Sequence, residues 1–197
     1  MTDICDNAST GVIVADAAGR LVLLTRAQPP AGIAPAAGHV FDDHAVLRPD
    51  GTVDEDTSFR AAAVAEVEEE LGLTVAVADL EEVTRGWRIS PCRRPLLPGR
   101  EPGHAWRVYR APATGLLTPS PTETRGARWY TPAEVQSLAD RTAAFACGDV
   151  SEAAFDASPG LQPVWVRWLV DAALVTVSAA ALTAIDALLH HQAHTCR

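Results

Sequence analysis

The sequence predicts an α/β domain followed by a helical C-terminal extension, and three observations predict it. Two short apolar runs, 11–16 and 21–26, flank a glycine-containing turn at 17–20, as paired strands do. Residues 59–74, FRAAAVAEVEEELGLT, contain no proline and no glycine before Gly72, and their alanines and glutamates are strong helix formers. Beyond residue 141 the apolar residues recur at helical spacing, over 143–155, 163–173 and 178–191.

Composition narrows the class. A chain of 197 residues, 48% hydrophobic and 21% charged, forms one globular domain with a modest extension. A net charge of −9 argues against a general nucleic-acid or anionic-membrane binder. The basic residues are all arginine. Cys5, Cys92, Cys147 and Cys196 lie far apart with no C-x-x-C, which reads as free thiols in a reduced, cytoplasmic protein. The start, MTDICDNAST, is too polar for a signal peptide, and the longest apolar run, 172–185, is too short and too interrupted to span a bilayer.

In chain order, the second strand of the opening pair ends on Arg26, which reads either as a phosphate contact or as a solvated strand end. A proline-, alanine- and glycine-rich passage, 27–40, leads to Gly38. The loop 41–56 turns at Pro49-Asp50-Gly51 and holds Asp42, Asp43, His44, Asp54, Glu55 and Asp56, outer metal ligands or simply a solubilising loop. His39 and His44 read as loop histidines, because nothing beside them has zinc spacing.

The helix takes Thr57 or Ser58 as its N-cap and Gly72 as its C-terminal stop. At 100° per residue, Val64, Val67 and Leu71 form the core-facing seam, Glu66, Glu69 and Glu70 share another arc, and Glu68 points away from both. Like charges at this spacing repel by a few tenths of a kcal/mol per pair. Either the arc is a solvated acidic face, or a hard divalent cation sits among the carboxylates.

Strands follow at 73–77, 80–89 and 104–110, with a proline-rich loop before the last. Between 85 and 110 stand seven arginines (Arg85, Arg88, Arg93, Arg94, Arg100, Arg107, Arg110) against one acid, Glu101. They form an anion funnel or a solvent-facing row. Trp87 and Trp106 stack a flat group or fill the core. Thr131-Pro132-Ala133-Glu134 is a capping box that opens a further helix. Trp165 and Trp168 give a later helix a large apolar surface, and the tail His190, His191, His194, Cys196 reads as a frayed terminus.

Residues 66–73, EVEEELGL, resemble the second half of the Nudix box, R-E-U-x-E-E-x-G-U with U aliphatic. In the strict register Gly51 matches the opening glycine, but Thr57 and Ala65 stand where the family has glutamate and arginine. In a second register, which we prefer, Pro35-Ala36-Ala37-Gly38-His39-Val40 opens the box and 41–56 is an expanded loop. The segment 120–135, with Trp129 before the Thr131 capping box, resembles a second family feature.

The resemblance covers 8–140 and implies an α/β/α sandwich with a mixed sheet. Residues 141–197 would then be a helical extension that packs on it, covers the cleft or makes a homodimer interface. It also implies a Mg²⁺- or Mn²⁺-dependent pyrophosphohydrolase acting on a nucleoside diphosphate linked to another group. Glu66, Glu69, Glu70 and the carbonyl of Gly38 would hold metal, and Glu69 or Glu123 would accept a proton. Arg26, Arg88, Arg107 and Trp87 are our candidate contacts to the diphosphate substrate. Ala65 cannot orient a glutamate as the family arginine does, while Asp56 stands one residue from the missing upstream glutamate. A ligand-binding sensor without turnover is therefore the second reading, and a protein-interaction module the third.

Overall fold

Strand β1 (Ala8–Val14) is buried along its whole length, and the other elements are laid out on its two faces. It pairs antiparallel with β4 (Ala36–His39) and parallel with β6 (His104–Ala111); β5 (Glu81–Arg88) completes a mixed sheet of order β4-β1-β6-β5. A second, antiparallel sheet has the order β3-β2-β7, from β3 (Ile33–Ala34), β2 (Leu21–Arg26) and β7 (Thr124–Tyr130). These elements belong to a computed structural model that describes residues 4–28 and 31–195, leaving aside the side chains of Asp42 and Asp43. The expected pair of opening strands meets only at the Ala15–Leu21 bridge, across the turn at Gly19. From there the two strands diverge into different sheets.

Side chains alternate across a strand, so β1 serves two cores. Val12 and Val14 face helix α2 (Glu55–Leu71), where Phe59, Ala62, Ala63, Val67 and Leu71 complete one cluster. Ile13 faces the other way, into a cluster built with α3 (Pro132–Ala146), α5 (Pro163–Asp171) and α6 (Ala179–Thr195). The layers are helix, sheet, helix. Among the described residues, no helix is long and apolar enough to cross a membrane.

The C-terminal helices pack on the sheet as the second helical layer, one of the placements expected for them, although the boundary expected at 140/141 falls inside α3. Trp165 and Trp168 are each only 1% exposed. Their rings meet Trp106 at centroid distances of 5.8 and 6.0 Å, and a Cβ on Gly11 would collide with the Trp165 indole. The backbone is joined too: Ile33 N–H donates to the Gly160 carbonyl at 2.8 Å, and Gln162 N–H to the Ile33 carbonyl at 2.9 Å.

Local corrections have local causes. Helix α2 starts earlier than its alanine run because Asp54, not Thr57 or Ser58, is the N-cap and accepts from Thr57 N–H at 3.2 Å. Ser58 is buried instead, donating to the Asp54 carbonyl and accepting from Val46 N–H. Gly72 does end the helix, in the left-handed conformation with φ 66°. The loop 41–56 contains a short helix α1 (Phe41–His44) and a Leu47–Val53 bridge across the Pro49–Gly51 turn. The expected strand 73–77 reduces to a Thr74–Thr114 bridge and a 3-10 turn at Val77–Asp79. The expected helix 143–155 is the end of α3 and a separate α4 (Glu152–Ala157), broken at Gly148 with φ 86°. Cys196 lies outside the described residues.

Truncating Trp165 to Ala empties a site filled by the largest side chain in the core, and costs about 3–5 kcal/mol by denaturant titration. At the start of α3, Thr131 N–H and Oγ–H donate to the Glu134 carboxylate, joined by Arg128, and hold its pKa down to about 2. A depressed carboxylate stabilises the fold above its ordinary pKa, and that stability is lost as pH falls from about 4.5 toward 2. Glu134→Gln is expected to flatten this limb of the stability–pH curve in acid titrations of unfolding.

Candidate active site

Helix α2 crosses β4, and the sequence leaves room for it there by placing a glycine in the strand. A Cβ on Gly38 would fall inside the carboxylate of Glu66, so the strand backbone serves as the cradle for that side chain. One turn later, Glu70 is only 8% exposed, and its Oε2 accepts from the Ala37 N–H at 2.9 Å. Glu69, at the outer edge of the arc, stays exposed. Gly51, the glycine of the strict register, sits in an exposed turn with nothing near its Cβ position. The glycine that meets the glutamates is Gly38.

The electrostatics follow from burial and crowding. Desolvation, then the charges of Glu70, Glu69 and Glu123, push the Glu66 carboxyl up to about 8. Burial pushes Glu70 up to about 7, with the Ala37 N–H and Arg26 opposing and Glu123 and Glu69 adding. Glu123, exposed in the loop before β7, is thus near enough for its charge to be felt by both. Its carbonyl accepts from Ala27 N–H at 3.0 Å, which ties that loop to the end of β2. Oxygen ligands of like charge, two of them withdrawn from water, fit a hard divalent cation: a cation would relieve the repulsion that protonation otherwise relieves.

Arg26 completes the group. Its Nε is buried without a hydrogen-bond partner, and its charge is felt by both Glu70 and Glu66. It also lines a cleft of about 460 Å³ with Arg125, Phe145, Glu152, Phe155 and Gln192. Phe145 and Phe155 stack there at 4.2 Å between centroids. Sequence reading did not single out Arg125, Phe145 or Phe155, because they come together only when α3 and α4 fold back on the end of β2.

The other expected contacts lie elsewhere. Arg107 donates to Asp56 at 2.8 Å and packs over Phe59, at the start of α2, about 15 Å of helix from Glu66. Asp56, bound to Arg107 and Arg60, is therefore no substitute for the missing box glutamate. Arg88 pairs with Asp171 over the face of Trp168, and Trp87, 47% exposed, is beside it on β5, at the edge of the sheet opposite Gly38. Together they line a separate pocket with Asp186 and His190. Arg85 pairs with Glu82. Arg85, Arg88 and Arg107 are thus each held by carboxylates away from the helix glutamates, whereas the charges of Arg93 and Arg94 are felt at the site, by Arg26 and Glu66 respectively. Asp54 is engaged as a cap, and Asp42 and Asp43 have no described side chains.

Cys5, Cys92 and Cys147 are free thiols, as expected, but two of them meet His39, expected as a loop histidine, in a second cluster. Cys5, His39, Cys92 and His104 place their ligand atoms within 4.8 Å of one another. The hydrogen bond between the thiols holds Cys92 down to about 7 and raises Cys5.

A domain model described as NUDIX domain matches residues 6–146. None of the curated proteins compared matches the chain. Similar solved structures include a MutT NUDIX hydrolase from Burkholderia pseudomallei, at 19% identity and a TM-score of 0.46, covering 64% of this chain and 84% of that one. The ORF135 protein of E. coli is 22% identical with a TM-score of 0.42, over 66% of this chain and 76% of its own. A MutT protein from Methanosarcina mazei Go1 is 13% identical with a TM-score of 0.43, over 70% of this chain and 85% of its own.

The cradle makes a direct prediction. Gly38→Ala forces the Glu66 carboxylate out of its place, and Mg²⁺ affinity measured by calorimetry is expected to fall roughly tenfold to a hundredfold. The far-UV circular dichroism should be unchanged.

Proposed function

The chain belongs to the Nudix family, and from that premise we propose that it is a divalent-metal-dependent hydrolase of a diphosphate bond in a nucleoside diphosphate linked to another group. The observation that carries this reading is Glu66 seated against Gly38 and Glu70 held by the Ala37 N–H, with the charges of Glu69 and Glu123 felt by both and a buried Arg26 Nε without a hydrogen-bond partner. Mutually repelling carboxylates withdrawn from water are costly to keep, and a cation is what makes them useful.

Glu66, Glu69 and Glu70, with the Gly38 carbonyl, would hold Mg²⁺ or Mn²⁺. When bound, the cation supplies Lewis acidity: it neutralises diphosphate charge and lowers the pKa of water. The chain's own residues do the rest. Arg26 reaches a phosphoryl oxygen, for which its guanidinium geometry is suited. Glu123 accepts the proton of the attacking water, with Glu69 as the alternative base. The cleft beyond Arg26 takes the flat end of the substrate against the Phe145–Phe155 stack, its volume being ordinary for a small-molecule site.

The absent box arginine is answered by two substitutes. Ala65 brings no charge, but the Ala37 N–H orients Glu70 and Arg26 supplies the positive field from β2. This supports catalysis over the second reading, a ligand-binding sensor, which Ala65 by itself would favour. The small-molecule substrate and a cytoplasmic setting belong to the same proposal.

The test is phosphate release from a panel of nucleoside diphosphate sugars, dinucleoside polyphosphates, nucleoside triphosphates and other diphosphates, each with Mg²⁺ and with Mn²⁺. Turnover that falls at least roughly a hundredfold in Glu70→Gln is expected. Glu123→Gln against Glu69→Gln distinguishes the two candidate bases, the true base giving the larger loss in kcat. Metal binding without turnover on any member of the panel leaves the sensor. Neither binding nor turnover leaves the interaction module.

A further inference from the structure

Four residues remote in sequence, at positions 5, 39, 92 and 104, bring two thiols and two imidazoles to one point beside the candidate active site. Cys5 precedes β1, His39 ends β4 immediately after Gly38, Cys92 lies in the proline-rich loop, and His104 begins β6. Cys5 Sγ is 3.2 Å from His104 Nε2 and 3.6 Å from His39 Nε2, and Cys92 Sγ is 3.5 Å from His39 Nε2. A tetrahedron with Zn–S near 2.3 Å and Zn–N near 2.0–2.1 Å has S···N edges of about 3.5 Å. The donor set is that of a zinc centre, and these three S···N separations lie close to its edge length.

The surroundings are built to the same end. His104 is buried, and its Nδ1 lies 2.8 Å from the buried Ser90 Oγ. With the proton on Nδ1, Nε2 turns its lone pair toward the cluster, as the outer partner of a ligating histidine does. Asn7 adopts φ 58°, which bends the chain so that its N–H points at Cys5 Sγ, at 3.4 Å. Its side chain donates to the carbonyls of Glu101 and Gly103, fixing the approach to His104.

We propose that Cys5, His39, Cys92 and His104 form a structural Zn²⁺ site. Four protein ligands close the coordination sphere and leave no position for substrate, so the role is to clip elements together. Soft thiolate and imidazole donors in tetrahedral array select zinc over the oxygen-seeking Mg²⁺. On binding, both thiols end as thiolates, releasing up to two protons to solvent. The clip fastens the chain before β1, the proline-rich loop and the start of β6 to the strand end next to Gly38. The site stands whether or not the glutamates hydrolyse anything.

The test uses the full chain, purified with thiols reduced and with Mg²⁺ in excess so that oxygen ligands do not retain zinc. Elemental analysis is expected to find a single zinc per chain. Replacement by Co²⁺ is expected to give thiolate-to-cobalt charge transfer in the near ultraviolet and the intense visible bands of tetrahedral cobalt. Cys92→Ser should abolish the charge transfer from that sulfur and lower zinc affinity at least roughly tenfold, and Ser90→Ala should lower it by a similar factor. Cys147→Ser, at an exposed thiol outside the cluster, should change neither. Should Cys92→Ser fail to fold, the cobalt spectrum of the unaltered protein decides the matter. Absence of zinc together with absence of charge transfer overturns the proposal, as does zinc content unmoved by Cys92→Ser or a Cys5–Cys92 disulfide in freshly isolated protein.

Discussion

Two carboxylates pressed between helix α2 and the backbone of β4 set the terms for the rest of this structure. Burying an ionisable group is tolerable only where something compensates it. Here the compensation is local: the Ala37 N–H holds Glu70, the absent side chain of Gly38 makes room for Glu66, and the Arg26 charge faces both. Each depends on the register of β4 against β1 and on α2 lying where its apolar seam puts it. Val67 and Leu71 are fully buried, and they place the glutamates of the same two turns at the strand end. Packing energy is thus used to hold an electrostatically unfavourable group in place, as pre-organised sites require.

What was legible in the sequence is what depends on short spacing. The glutamate arc, the Gly72 stop and the Thr131 capping box are properties of a few consecutive residues, and all are seen. Glu123 was singled out by a resemblance of its neighbourhood, and its charge is felt by Glu66 and Glu70. Strands β3 and β4 were hidden because alanine, proline and glycine carry little strand propensity. The arginines misled for a different reason. A charge count along 85–110 cannot show that Asp171 and Asp56 arrive from other elements to pair with Arg88 and Arg107, and it stops just short of Glu82, which pairs with Arg85. The Cys/His cluster was invisible in principle, since its members share no local spacing and meet only through β1, β4 and β6.

The two proposed metal sites would stand side by side at the end of β4. Gly38 backs the oxygen ligands and His39, the next residue, turns its ring to the sulfur and nitrogen cluster. Hard and soft donor sets are sorted by the alternation of a strand, one residue to each face. Arg93 and Arg94 follow Cys92 directly, so the position of the basic loop at the carboxylates is tied to the same cluster.

The pairing of Ile33 with Gly160 and Gln162 has a consequence for how the chain comes into being. A ribosome delivers both sheets, α2 and most of α3 well before it delivers Trp165. Until then the face of β1 that carries Gly11 and Ile13 lacks the indoles that fill it, and β3 offers an open edge. The part of the chain that matches the domain family must therefore wait for residues beyond it before its sheet can close. A nascent chain that stopped short of Trp165 would leave that sheet partly exposed, and slow translation across 147–170 would lengthen the interval.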